Sequence, residues 1–117
     1  MTKVVIMKNS AGEYTGFYCM GHAGFARKRR GATELDILCS AISMITINTI
    51  NALDELAKIP LEVATNEETG FIKCDFKNPL QGEGVILMRA FELGVLNLQE
   101  EYGHQYVKVD FQEVEKC

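Results

Sequence analysis

The sequence predicts an α+β fold, and three features carry that prediction. Two short β-branched or alternating stretches stand close together near the N-terminus. A second such pair lies mid-chain, and a fifth stretch lies near the C-terminus. Two apolar runs of helical length separate them, so the order is β-β-α-β-β-α-β. Two hairpins and a last strand with two helices make a layered domain, a mostly antiparallel sheet packed on two helices.

Residues 3–7 read as the first strand because Val4, Val5 and Ile6 are β-branched. Ser10 and Gly12 mark a turn. Residues 13–20 read as the second strand. Tyr14, Gly16, Tyr18 and Met20 share one face, and Thr15, Phe17 and Cys19 the other. A short glycine-containing turn between two strands argues for a hairpin. That hairpin delivers the chain directly to Gly21-His22. Gly24 and Gly31 then bracket a loop and can act as its hinges.

Residues 36–58 read as the first helix. Its apolar residues cover more than one stripe, so it is expected to be buried on much of its circumference, against the sheet and a second layer or partner chain. Thr46, Asn48, Thr49, Asn51, Asp54 and Glu55 are expected to mark its wetter side. Pro60 ends the pattern. Residues 61–65 and 71–76 read as strands around the turn 66–70. Pro79 breaks the chain again, and residues 81–101 read as the second helix. Gly94 lies inside it at a cost of about 1 kcal/mol, and Gly103 is placed to cap its C-terminus. Residues 106–111 alternate and read as the last strand.

A length of 117 residues points to a single domain covering the whole chain, large enough for a core without crosslinks. The formal charge of −4 argues against direct nucleic-acid binding. No secretory leader is recognised in the N-terminal residues, and no stretch is read as approaching the roughly 20 apolar residues of a membrane span. A cytoplasmic setting is therefore expected. There Cys19, Cys39, Cys74 and Cys117 are expected to be reduced. They show no C-x-x-C spacing. Cys19-x-x-His22 has the spacing of a metal-ligand pair, but no second close pair follows, so no metal and no cofactor is expected.

Two blocks carry the chemistry: Gly21-His22-Ala23, and Asp36-Ile37-Leu38-Cys39-Ser40-Ala41-Ile42-Ser43. Asp36 can cap a helix through its carboxylate, which would put Cys39 in the first turn. The helix field and a nearby imidazole then both favour thiolate, the nucleophilic form. Thr33 is the alternative start, and it would move Cys39 into the second turn, where that field has faded. A cysteine in an apolar helix is by itself more often a small core residue than a nucleophile. His22 and His104 are the chain's two histidines. His22 is favoured as general base, because His104 follows Gly103 where it can serve simply as a polar residue after a helix. Asp36 can cap the helix, orient His22, or do both. Ser43 stands one turn after Cys39, where it can bond near the thiol or back to a helix carbonyl. Backbone N–H groups at the helix start, that of Cys39 included, are the expected oxyanion donors.

The two blocks together resemble the signature of the ribosomal-processing cysteine proteases, the Prp family. Chain length and element order resemble that family too. The resemblance implies that Cys39 is the nucleophile and His22 the general base, with Gly21, Asp36 and Ser43 in support. It further implies a homodimer that removes the N-terminal extension of a large-subunit ribosomal protein precursor, the bacterial one reaching toward the peptidyl-transferase centre, by cutting after a hydrophobic, aromatic-containing motif. The loop between the blocks is longer than is usual in the family and holds Arg27-Lys28-Arg29-Arg30. A substrate cleft between hairpin and helix start is expected to use Tyr14, Phe17 and Phe25, with Arg27, Arg29 and Arg30 nearby. The alternative is a non-enzymatic ribosome-associated module that uses the basic loop 27–30 and keeps Cys39 as packing.

Overall fold

In the computed structural model of the chain, residues 1–21 and 33–115 are described, the side chains of residues 33–36 excepted. The elements are β1 (Thr2–Lys8), β2 (Tyr14–Met20), α1 (Thr33–Glu55), β3 (Leu61–Asn66), β4 (Phe71–Phe76), α2 (Glu83–Tyr102) and β5 (Val107–Glu113). The strands form one sheet in the order β3-β4-β2-β1-β5. The β1–β2, β2–β4 and β3–β4 pairs are antiparallel. β5 returns parallel to β1, with Val107 opposite Thr2. The fold is α+β with the predicted element order.

Local chemistry explains the first hairpin. The Asn9 side-chain oxygen accepts hydrogen bonds from the N–H groups of Ala11 and Glu13, at 3.0 and 2.9 Å, and so closes the turn between β1 and β2. The strands then present alternate residues to the core. Val4 and Ile6 of β1, Phe17 and Cys19 of β2, and Cys74 and Phe76 of β4 join one cluster with residues of both helices. Phe17 packs against Phe91 of α2, and Cys19 meets Thr46 of α1. Since Phe17 and Cys19 are two apart on one strand, both helices cover the same sheet face.

α1 corrects two expectations. By length and mean hydropathy Ile37–Glu55 is a helix that could cross a membrane, contrary to the sequence reading. Yet Leu38, Ile42, Thr46, Thr49, Ile50 and Leu53 form a stripe closed against the core, as in the core helix of a two-layer domain. Thr46 and Thr49, assigned to the wet side, lie within that stripe. They sit at helical spacing from Ile42 and Leu53, and the Thr46 hydroxyl finds the Cys19 thiol at 3.5 Å. Ile37, Met44 and Ile47 are exposed instead.

α2 crosses α1 closely. A Cβ at Gly94 would collide with the end of the Ile45 side chain, so the small residue that weakens the helix also admits its neighbour. Gly103 ends α2 with φ 101°, and its N–H donates to the Gln99 carbonyl at 2.9 Å. The Gln99 side-chain oxygen then accepts the Val109 N–H at 2.7 Å, which ties β5 to the helix.

Candidate active site

A cleft of about 270 Å³ opens where the end of β2, the first turns of α1 and the β3–β4 turn meet. Cys39 and Ser43 face it from α1, Gly21 and Thr2 from the sheet end, and Asn66 and Glu67 from the turn. Cys39 is half-buried and Ser43 exposed. Side chains on a helix lean toward its N-terminus, so the Ser43 hydroxyl is directed back toward the turn that carries Cys39.

α1 begins at Thr33, which places Asp36 inside the helix and Cys39 at its seventh position. Asp36 is therefore not the cap, and Cys39 lies beyond the first turn, where the helix field is concentrated. The Cys39 N–H is also past the four unpaired donors of a helix start. It is bonded within the helix and cannot serve as an oxyanion donor.

Gly21 has φ 86°, a left-handed conformation that glycine adopts without strain. A Cβ there would stand 2.5 Å from the Met1 carbonyl oxygen. Its N–H donates to the Thr69 carbonyl at 3.0 Å. The residue that leads into His22 is thus held between the N-terminus and the β3–β4 turn. His22, Phe25, Arg27, Arg29 and Arg30 lie outside the described residues, as does the side chain of Asp36. His104 is exposed after α2 and does not line the cleft.

Tyr14 and Phe17, expected in the substrate cleft, are part of the core instead. Phe17 is fully buried, with its ring 4.5 Å from that of Phe91 and 6.3 Å from that of Phe76. Tyr14 donates to the Glu92 carboxylate at 2.7 Å. Burial, and then that carboxylate, hold the Tyr14 phenol well above its ordinary range. The Phe17 face turns toward the helices, and a register shift opposite Met7 and Lys8 breaks the alternation at Tyr14, which joins the same core although the sequence places it on the other face.

The other described cysteines differ from Cys39. Burial pushes the Cys19 thiol up to about 11, only partly offset by the Thr46 hydroxyl. Burial, with the Asp75 charge added, pushes Cys74 up to about 12. Both stay protonated near neutral pH, so neither is a ready nucleophile. Cys19 does line the cleft wall, as do Thr46, Thr65, Phe71 and Ile72. Nothing in the sequence marks these wall residues, because Cys19, Ile72 and Thr65 meet through the β2–β4 and β3–β4 pairings and Thr46 comes from α1.

No curated protein matches the sequence. The chain resembles the crystal structure of SMU.848 from Streptococcus mutans, with a TM-score of 0.81 and 26% identity over 97% of this chain and 96% of that one. It shares its fold with the essential ribosomal processing protease Prp from S. aureus, solved in complex with a covalently linked product peptide. There the TM-score is 0.82 and the identity 19%, over 96% of this chain and all of the other. The same protease with a substrate peptide gives a TM-score of 0.81 at the same identity and coverage. The model of the cysteine protease Prp family matches residues 1–108, and the chain belongs to that family.

Proposed function

We propose that this chain is a cysteine endopeptidase that removes the N-terminal extension of a bacterial large-subunit ribosomal protein, with Cys39 as nucleophile and His22 as general base. The observation that carries the reading is the cleft itself. Cys39 and Ser43 face into it, and Gly21, which leads directly into His22, forms part of its wall. The S. aureus neighbour holds a covalently linked product peptide, which supports covalent catalysis on this fold.

In the proposed reaction the His22 imidazole takes the Cys39 proton, and the sulfur attacks the scissile carbonyl. The imidazolium returns that proton to the departing amine, leaving a thioester on Cys39. Water, deprotonated by the same imidazole, hydrolyses the thioester and frees the acid product. The Ser43 hydroxyl stands one turn away and can donate to the developing oxyanion. The setting proposed is the cytoplasm, where the precursor is synthesised.

Co-expression with the host's extended ribosomal protein tests the reading. Mass spectrometry is expected to show loss of the extension, and His22→Ala to retain it. An intact precursor beside the unaltered chain would refute the assignment.

We also propose that two copies pair through the outer face of the helical layer. Ile37 and Met44 of α1 and Ile86 and Leu93 of α2 are each more than half exposed there, at 58%, 66%, 62% and 63%. Equilibrium sedimentation at micromolar concentration is expected to give twice the chain mass, and Met44→Lys with Leu93→Lys to give the monomer. A monomer from the unaltered chain would exclude the pairing.

A further inference from the structure

We propose that the substrate runs well past the scissile bond along a trough between α1 and β3, and that a second apolar subsite reads it about five residues away. This rests on the protease reading above.

Beside the cleft at Cys39 lies a second, of about 370 Å³, lined by Ile47, Ile50, Asp54, Leu61, Val63 and Ile72. Ile47 and Ile72 belong to both walls, so the two clefts form one continuous trough. Its sides run in opposite chain directions. α1 contributes Cys39, Ser43, Ile47, Ile50 and Asp54 in order, while β3 runs from Leu61 at the far end to Asn66 at the near end. Cys39 to Asp54 spans about 22 Å of helix at 1.5 Å per residue. That length holds roughly six or seven residues of extended peptide. The far cleft is centred about 16 Å from Cys39, or about five extended residues.

The trough lies along β3, an edge strand that the helical layer covers only in part. Val63 stands opposite Cys74, on the sheet face that the helices cover elsewhere, yet it is 44% exposed. Ile47 on the facing helix is 51% exposed. An extended peptide would bury both. Among the described residues, the charged side chains on the two walls are Glu67 and Asp54, one in each cleft and both acidic. The occupant that fits these walls is therefore an apolar segment with basic rather than acidic residues beside it.

The test compares kcat/KM on two peptides from the precursor. One carries about eight residues on each side of the cut and the other about three, so only the longer can reach the far cleft. The unaltered protein is expected to favour the longer peptide, through KM. Val63→Lys is expected to lower the long-to-short ratio at least about tenfold, the scale of one lost apolar contact in a pocket, and Val63→Ile to preserve it. Asp54→Arg, at an exposed helix position, is expected to raise KM for the long peptide should Val63→Lys fail to fold. Equal rates on the two peptides, or a ratio unmoved by Val63→Lys and Asp54→Arg, would overturn the second subsite while leaving the protease intact. A sedimentation mass changed by Val63→Lys would overturn it too, by showing that this face joins copies of the chain. Cleavage of neither peptide would remove the protease reading and this inference with it.

Discussion

Cys39→Ala is expected to abolish cleavage of the ribosomal precursor, lowering kcat/KM by about 10⁴ or more, since no other group can form the thioester. The fold should be unharmed, because Cys39 is half-buried at the wall of a cleft. Iodoacetamide provides a second readout without substrate. At pH 8, in a Cys117→Ser background, Cys39 is expected to alkylate first. Cys19 and Cys74 are held back because burial raises their thiol pKa values, to about 11 and about 12. A raised pKa means that the folded state keeps the proton longer than the unfolded one. The stability these thiols lend is complete below their ordinary value near 9.0 and is lost as pH rises through 11 to 12. Faster labelling of Cys19 than Cys39 at pH 8, or full cleavage by Cys39→Ala, would rule out the assigned nucleophile.

Phe17→Ala is expected to cost about 3–5 kcal/mol of stability, because the ring is fully enclosed between Phe76 and Phe91. At about 4–8 °C per kcal/mol the melting temperature should fall by roughly 12–40 °C. Circular dichroism during heating or urea unfolding would measure this. A substrate-lining role would give a different result: normal melting with a changed preference at the cut. The experiment therefore separates the cleft position expected for Phe17 from the core position that packing gives it.

Why some residues were legible and others not is clear from Phe17, Thr46 and Cys39. Periodicity located all seven elements, because β-branched alternation and long apolar runs are local signals. It does not say which residues of β2 meet the helices, and Tyr14 and Phe17, both expected in the cleft, both lie in the core. Thr46 and Thr49 read as polar, but a hydroxyl can be buried where a partner waits, and Thr46 has the Cys19 thiol. The sequence offers both Thr33 and Asp36 as the start of α1, and the observed start at Thr33 removes the first-turn argument for Cys39. The blocks at Gly21 and Cys39 are brought to one cleft, which Gly21, Cys39 and Ser43 all line. The third wall, from Thr65 to Ile72, was not legible, because it reaches the cleft through sheet pairing across some fifty residues of chain.

The bond from the Gly21 N–H to the Thr69 carbonyl has a consequence for when the enzyme becomes competent. During synthesis α1 and Cys39, the proposed nucleophile, emerge well before residue 69, so a nascent chain can hold that cysteine while the strand that leads to His22, the proposed base, still lacks its anchor. The same dependence operates in the finished protein. A denaturant or substitution that loosens the Asn66–Gly70 turn releases Gly21 first, and activity should fade before the sulfur's own helix has begun to melt.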